Sequence, residues 1–287
     1  MKTGLVLEGG AMRGMYTAGV LDVFLENGVS FDEVIGVSAG AIAGVSFVSG
    51  QKGRTIRYNL KYCRDKRVMS FYSLLTTGDL VGNQFCYHEI PERLDPFDNQ
   101  AFQASPTKFF ATCANLETGE AEYIHLTDMN AQIDYLRASA SMPLASNVVE
   151  AEGRWMLDGG IVDAIPLKFA EEKFHKNVVV LTQPIDYIKK KNKAMPLIRN
   201  RMKQYPKVVA AMARRHEVYN RQVAYTRYRE RAGKAFVLRP EAPLALSRTE
   251  RDPEKLQRAY DHGRMVAEKR MAALKEFLHT GGTPNEE

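Results

Sequence analysis

The sequence predicts an α/β protein: a three-layer sandwich around a central, mostly parallel sheet, extended by a basic, mostly helical C-terminal part. Short apolar runs, typical of buried strands, alternate with longer segments whose apolar residues recur every three or four positions. The 287 residues are 45% hydrophobic and 26% charged. This composition is ordinary for a globular protein and excludes a collagen, a coiled-coil rod or a disordered chain.

Two strand–helix pairs open the chain. The apolar run at residues 3–7 predicts a buried strand that two glycines end, and helical spacing over residues 11–27 predicts the helix after it. The run at residues 34–37 is rich in β-branched side chains and predicts a second strand. A second helix is expected at residues 39–48, where small and apolar residues predominate.

The remaining elements follow from the same periodicities and from proline and glycine stops. Further helices are predicted at residues 54–67, 83–94, 131–141, 166–174 and 253–279, with a helical stretch over 195–231 that Pro206 interrupts. Further strands are predicted at residues 108–114, 121–126, 147–150, 155–157, 178–182 and 235–238. Residues 280–287 are expected to form a frayed tail.

The charge of the chain is divided unevenly, although the net charge is only +6. Residues 1–185 contain 16 Lys and Arg against 22 Asp and Glu, whereas residues 186–287 contain 24 against 12. The excess of basic residues is greatest in residues 189–234, which contain 15 basic residues and 2 acidic ones. Such a block favours anionic partners, but it is also typical of a solvated helix face. An apolar stripe over residues 198–223 is expected to pack on the main body.

Cysteine usage and hydropathy indicate a cytosolic chain that does not span a membrane. Cys63, Cys86 and Cys113 are odd in number and far apart, so they are expected to be free thiols rather than disulfides or metal ligands. The apolar run near the start is too short for a signal peptide, and the longest uncharged stretch is shorter than the ~20 residues of a membrane span.

The motif G-V-S-A-G at residues 36–40 lies between a predicted strand and a predicted helix. This context is typical of a nucleophile elbow, in which Gly36 and Gly40 relieve crowding and Ser38 is exposed at a sharp turn. A simple tight turn with a helix-capping serine is the alternative.

A glycine-rich loop, E-G-G-A-M-R-G at residues 8–14, follows the first strand and opens a helix. A dinucleotide fingerprint would require glycine in place of Ala11 and an acidic residue at the end of the second strand. Both are missing. An oxyanion hole made by backbone N–H groups near Gly10 and Ala11 is the better interpretation, and a glycine turn required only for packing stays open.

A serine nucleophile needs a base. None of the six histidines is placed as a Ser-His-Asp hydrolase requires: His88, His125, His175, His216, His262 and His279. Asp158, in the motif D-G-G at the end of a predicted strand, is the better candidate, although D-G is also a common turn.

Three motifs in this order resemble the patatin-like phospholipases, in particular the bacterial type: L-E-G-G-A-M-R-G at residues 7–14, G-V-S-A-G at 36–40 and L-D-G-G at 157–160. The small-residue run at 138–143 is similar to a segment of the same family. The resemblance covers about residues 4–185. It implies a hydrolase domain over 1–185, with residues 186–287 as a basic, mostly helical extension packed on it.

The resemblance also implies site residues. Ser38 would be the nucleophile and Asp158 the base of a dyad without histidine. The oxyanion loop would comprise Gly9, Gly10, Ala11, Arg13 and Gly14. Many family members have glycine where this chain has Ala11; alanine keeps its N–H, but a positive φ there would cost about 1 kcal/mol or more.

These observations lead to an expected function: hydrolysis of acyl esters, such as those of a phospholipid or lysophospholipid, without a metal or organic cofactor. The basic C-terminal part is expected to contact anionic membranes peripherally, and no specific nucleic acid is expected. An anion- or nucleic-acid-binding protein and a non-catalytic patatin-like scaffold are the alternatives.

Overall fold

A computed structural model describes residues 2–279, so the tail predicted at 280–287 lies outside the described residues. Its sheet runs in the order β5-β6-β3-β2-β1-β7-β8, and β4 pairs with β3. The strands are β1 (Thr3–Leu7), β2 (Glu33–Val37), β3 (Lys108–Asn115), β4 (Ala121–Leu126), β5 (Val149–Ala151), β6 (Arg154–Asp158), β7 (Lys176–Val180) and β8 (Ala235–Leu238). Neighbours in the run from β3 to β8 are parallel, whereas β4, β5 and β6 pair antiparallel. The mostly parallel sheet is therefore confirmed.

The helices lie on both faces of this sheet. They are α1 (Gly14–Glu26), α2 (Ala39–Val48), α3 (Arg54–Tyr62), α4 (Phe71–Thr77), α5 (Asn99–Ala104), α6 (Met129–Ser139), α7 (Leu167–Glu171), α8 (Met195–Arg201), α9 (Pro206–Arg231) and α10 (Pro253–His279). None of the helices within residues 2–279 is long and apolar enough to cross a bilayer.

Alternation along β1 divides the core between the two faces, because successive strand side chains point to opposite sides of a sheet. Leu5 and Leu7 join the larger apolar cluster with residues of α1, α2, α6 and α10. Val6 joins a second cluster that contains Tyr219 of α9 and residues of α7. The predicted three-layer arrangement follows from this division.

Several local predictions were wrong, each for a local reason. Residues 83–94 form a π-helix over Phe85–Leu94 instead of an α-helix, since Pro91 has no N–H for a regular helical ladder. The helix predicted at 54–67 ends at Tyr62, and the one predicted from residue 11 begins with a 3₁₀ turn at Ala11–Arg13. Two short helices, α4 and α5, were not predicted, because their caps at Ser70 and Asp98 are local signals without an amphipathic pattern.

Residues beyond 185 complete the same sheet. β8 pairs in parallel with β7, and the apolar stripe of α8 and α9 packs as expected: Ile198, Met202 and Met212 share a buried cluster with Leu157 and Ile161. The boundary at residues 185/186 stays a prediction, but the C-terminal part supplies an edge strand and two covering helices.

The longest C-terminal helix, α10, crosses α1 in close contact at two glycines. A Cβ on Gly19 would lie 2.1 Å from the Tyr260 carbonyl oxygen, and one on Gly263 would lie 2.0 Å from the Tyr16 carbonyl oxygen. Beside the crossing, the Tyr260 hydroxyl donates to Asp22 at 2.7 Å. The backbones approach so closely that only hydrogen fits at these positions.

We expect Gly263→Ala to destabilise the protein, even though alanine is the better helix former, because the added methyl group forces α1 and α10 apart. Overpacking of this kind costs about 1–3 kcal/mol. Chemical denaturation measures the change in the free energy of unfolding, and Ala273→Leu on the exposed face of α10 is the control. An unchanged or raised free energy of unfolding in Gly263→Ala would contradict this close contact.

Candidate active site

Ser38 lies in the sharp turn between the end of β2 and the start of α2, with φ 55° and ψ −124°. This is a strained conformation for a residue with a side chain. The neighbouring glycines allow it: a Cβ on Gly36 would lie 2.5 Å from the Ala41 Cα, and a Cβ on Gly40 would lie 2.5 Å from the Leu7 carbonyl oxygen. Such a sharp turn between a strand and a helix is what a nucleophile elbow requires.

Asp158 ends β6, and its side chain is only 3% exposed. One carboxylate oxygen, Oδ1, accepts a hydrogen bond from the Gly160 N–H at 2.7 Å. The Ser38 side chain lies close enough to this carboxylate to lower its pKa as a hydrogen-bonding neighbour. The two residues singled out in the sequence, 120 positions apart, are thus brought together.

Burial raises the pKa of Asp158 above its ordinary value. The positive charge of Arg215 and the hydrogen bond from Ser38 oppose that rise. A carboxylate whose pKa is raised is a stronger base than an exposed aspartate, which suits it to accept a proton from a hydroxyl group.

The small-residue run at 138–143 connects the two loops. The Oγ of Ser139 accepts a hydrogen bond from the Ser38 N–H at 3.0 Å and donates one to the Thr112 carbonyl at 2.8 Å. Two residues further on, the Ser141 carbonyl accepts a hydrogen bond from the Asp158 N–H at 2.7 Å. One short segment therefore holds the backbones of both Ser38 and Asp158.

The glycine-rich loop lies directly against Ser38. A Cβ on Gly9 would lie 2.9 Å from the Ser38 Cβ, and one on Gly14 would lie 2.8 Å from the Ala39 Cβ. Within residues 2–279, the N–H groups of Gly9, Gly10 and Ala11 donate to no protein acceptor. Free N–H groups beside a serine hydroxyl are the arrangement that an oxyanion hole requires.

Ala11 has φ 49°, in the left-handed region that favours glycine. Because alanine has a Cβ, this left-handed backbone conformation costs about 1 kcal/mol or more. Arg13 donates its backbone N–H to the Gly10 carbonyl at 3.1 Å. Its side-chain Nε is buried and has no hydrogen-bond partner in the described part of the chain, so a role of that side chain in setting the loop stays a prediction.

Glu8, at the start of this loop, is held by residues from far along the chain. It is 1% exposed and accepts hydrogen bonds from the Thr182 N–H and the Tyr219 hydroxyl, each at 2.6 Å. Tyr219 belongs to α9. The C-terminal part therefore fixes the glycine-rich loop from the side opposite Ser38's helix.

Arg215, one turn before Tyr219 on α9, is a site residue that the sequence did not single out. Its Nε donates to the Gly160 carbonyl at 2.5 Å, and its charge lowers the pKa of Asp158. Nothing distinguishes it in the sequence from the 14 other basic residues between 189 and 234. Arg215 lies three positions after Met212 and four before Tyr219, on the same face of the helix. This spacing indicates that Arg215 faces the interior only once Met212 and Tyr219 are known to be buried.

Lys189 is a second cation of the C-terminal part near the site. Its Nζ lies 4.0 Å from the centroid of the Tyr219 ring, and its backbone exchanges two hydrogen bonds with the Asn220 side chain. Burial lowers its pKa to about 7. Lys190, Lys191 and Lys193 are exposed, whereas Lys189 is partly buried against Tyr219.

Ser38 and Asp158 both line an apolar cavity of about 860 Å³. Ala11 and Gly14 of the glycine-rich loop also line it. Its other walls are mostly aliphatic and aromatic side chains, among them Met15, Ile42, Val45, Leu74, Ile90, Ile133, Leu136 and Met142. The volume is sufficient for a long hydrocarbon chain.

No histidine in the described residues forms a hydrogen bond with Ser38 or Asp158. His88 is the histidine that lines the cavity, and its Nδ1 lies 3.1 Å from Glu92 Oε1. The free thiols are Cys63, Cys86 and Cys113, of which Cys86 is only half-buried.

Comparisons with known proteins show which families this chain is similar to. A family model described as patatin-like phospholipase matches residues 5–171, and one described as a domain of unknown function (DUF6363) matches residues 205–279. The uncharacterized protein YjjU of Escherichia coli K12 is 32% identical over 180 residues, which are 62% of this chain and 50% of YjjU. The neuropathy target esterase sws of Drosophila willistoni is 28% identical over 169 residues, which are 57% of this chain and 11% of that esterase.

The solved structure of VipD from Legionella pneumophila aligns with a TM-score of 0.44 and 13% identity, covering 95% of this chain and 67% of VipD. The chain spans half or less of the length of the two curated relatives. Since the patatin-like model alone matches more than half of the residues, this chain belongs to the patatin-like phospholipase family.

Proposed function

We propose that the protein is a serine acyl-ester hydrolase that acts on lipids, in the manner of a phospholipase A, with Ser38 and Asp158 as a catalytic dyad. The observation that supports this most strongly is that Ser38 and Asp158 lie close together and line the same apolar cavity. Membership of the patatin-like phospholipases and the similarity to a neuropathy target esterase support ester hydrolysis as the reaction class.

In the first half of the reaction, the Ser38 hydroxyl attacks the ester carbonyl while Asp158 accepts its proton. The tetrahedral intermediate carries a negative oxygen, which the N–H groups of Gly10 and Ala11 stabilise. The intermediate then collapses: the carbon–oxygen bond to the alcohol breaks, and Asp158 returns its proton to the leaving alcohol. The products are an acyl-Ser38 ester and the free alcohol.

In the second half, water replaces the alcohol. Asp158 takes a proton from the water, the hydroxide attacks the acyl-Ser38 carbonyl, and the same N–H groups stabilise the second oxyanion. As the bond to the Ser38 oxygen breaks, Asp158 returns its proton to that oxygen, which releases a fatty acid and restores the Ser38 hydroxyl. Asp158 must be ionised at the start of each half, so activity falls as the pH drops through its raised pKa.

The cavity accounts for the acyl specificity that we propose. Its walls are mostly apolar and can contact a hydrocarbon chain, and Ser38 and Asp158 line the same cavity. Burial of each methylene contributes about 0.8 kcal/mol to binding. A long acyl chain is therefore bound more tightly than a short one before the ester reaches Ser38.

We further propose that the rim of this cavity contacts anionic membranes. Asn192 and Ala194 line the cavity, and the segment that contains them presents exposed Lys190, Lys191 and Lys193. Two large apolar side chains flank this segment: Ile188 is 71% exposed and Leu197 is 64% exposed. Basic and apolar groups together at a cavity rim suit a surface of anionic lipid.

Helix α4 extends the same rim. Its Leu74 lines the cavity, while Tyr72 and Leu75 are 74% and 86% exposed. The Asn147 side chain connects α4 with α8, since its Nδ2 donates to the Thr77 carbonyl and its Oδ1 accepts from Arg201. The exposed apolar groups of both helices therefore border one opening.

We expect Ser38→Ala and Asp158→Asn each to reduce hydrolysis of p-nitrophenyl butyrate by about 10³-fold or more, because each variant removes one half of a proton-transfer pair. The double variant should be no slower than the single ones. A fluorophosphonate probe should label Ser38 in the native protein and not in Ser38→Ala. A native protein that neither turns over esters nor takes the label would favour a non-catalytic scaffold.

We expect His88→Gln to retain hydrolysis of the same ester within about tenfold, since loss of a general base would reduce the rate by about 10²–10⁴-fold. His88 is the informative histidine because it lines the cavity. Steady-state kinetics at several pH values check this. A loss as large as that of Ser38→Ala would indicate a histidine-dependent mechanism instead of a dyad.

We expect vesicles that contain phosphatidylglycerol to bind the protein at low salt and to release it at about 0.5 M salt, since charge attraction is screened within a few ångströms there. Lys190→Glu, Lys191→Glu and Lys193→Glu together should weaken binding in a vesicle sedimentation assay while leaving turnover of a soluble ester unchanged.

The control for this experiment is the triple change of Lys2, Lys108 and Lys275 to Glu, which alters the net charge equally at exposed sites near the opposite end of the sheet. Equal loss of binding in both triple variants would contradict a specific membrane-facing rim. Preferential binding to DNA over anionic vesicles would instead support a nucleic-acid-binding function.

A further inference from the structure

Helix α9 reaches the catalytic pair through one side chain. The guanidinium of Arg215 donates from Nε to the Gly160 carbonyl at 2.5 Å, while the N–H of the same glycine donates to Asp158 Oδ1 at 2.7 Å. Gly160 is thus held from both sides, by the aspartate on one and by α9 on the other. Arg215 therefore contacts the loop that carries Asp158 directly.

The charge of Arg215 also lies near the carboxylate. A Cβ built on Gly160 would lie 3.0 Å from Asp158 Oδ1 and 3.4 Å from Arg215 Nη2, so both groups border the same small space. Asp158 is buried and Arg215 is partly buried, so water screens their attraction less than it would between exposed groups. A guanidinium stays protonated at every pH at which proteins fold, so this charge is permanent.

We propose that Arg215 is a positioning residue of the hydrolase: it holds the Asp158–Gly160 loop in place and favours the carboxylate form of Asp158. This inference rests on the proposed function, in which that carboxylate is the base. It assigns the C-terminal part, including the segment that matches the domain of unknown function, to the active site. The basic stretch therefore has two separate roles, one in the interior and one at the surface.

Other titratable groups face Asp158 and Arg215 and must be separated from this effect. Cys113 on β3 and Tyr87 on the π-helix have pKa values raised by burial, so both stay neutral between pH 5 and 9. Arg248, Tyr187 and Tyr219 face Arg215. Lys189 also favours the carboxylate, and its own pKa of about 7 makes that contribution depend on pH.

The test compares Arg215→Gln and Arg215→Lys with the native protein, using kcat/KM for p-nitrophenyl butyrate from pH 5 to 9. Loss of a neighbouring positive charge raises the pKa of a carboxyl group by about 1–3. We therefore expect the acidic limb of the Arg215→Gln profile to move to higher pH by about one unit or more. At pH values below that limb, kcat/KM of the variant should be at least about tenfold lower than that of the native protein. At pH 9 it should recover in part.

Arg215→Lys keeps the charge, so its acidic limb should stay close to that of the native protein even if its overall rate is lower. Arg214→Gln removes the adjacent, exposed charge of α9 and should leave the profile unchanged. Lys189→Met reports the contribution of the second cation. A loss of activity in Arg215→Gln that is equal at every pH, or an unchanged profile, would overturn the proposed effect of Arg215 on Asp158.

A second measurement separates this inference from the proposed reaction. The carboxyl carbon of Asp158, observed by ¹³C NMR in the native protein and in Arg215→Gln, reports its titration without any substrate. A higher pKa of Asp158 in Arg215→Gln supports the inference even if no ester is hydrolysed. The absence of hydrolysis would then count only against the proposed function. An unchanged pKa with normal hydrolysis by the native protein would overturn the inference and leave the hydrolase intact.

Discussion

The buried carboxylate of Asp158 is the constraint on which the rest of the site depends. A charge removed from water is costly unless hydrogen bonds or an opposite charge compensate it. Here the Gly160 N–H, the Ser38 side chain and the charge of Arg215 do so. These groups come from three distant parts of the chain, so the site exists only when all three are folded together. The raised pKa that remains is what makes Asp158 suitable as the proposed base.

The same requirement explains why the C-terminal part is built into the fold and not merely attached to it. β8 extends the sheet, and α10 crosses α1 at two glycines. Tyr219 fixes Glu8 behind the glycine-rich loop, while Arg215, one turn earlier, contacts the Asp158 loop. α9 therefore contacts two of the three motifs at once.

Two residues with a strained backbone lie where the chemistry is proposed. Ser38 and Ala11 both have positive φ values, and both lie at the junction of a strand with a helix. Such conformations persist only where the surroundings allow no relaxed alternative. Gly36 and Gly40 provide that constraint at Ser38, since their backbones contact α2 and β1 so closely that no side chain fits. Packing of the neighbouring glycines, and not the intrinsic backbone preference of serine, therefore holds Ser38 in the conformation that directs its side chain to the cavity.

The sequence by itself determined the α/β class, most of the strands and the motifs that contain Ser38, Asp158 and the glycine-rich loop. These are local signals: apolar periodicity, glycines at sharp turns and short motifs whose residues are contiguous. Tertiary structure decided which basic residues enter the site. Arg215 and Lys189 belong to the same run of charge as the exposed Lys190, and nothing local separates them. Their partial burial depends on how α9 packs against β6 and the glycine-rich loop. That packing is set by contacts between residues more than fifty positions apart in the sequence.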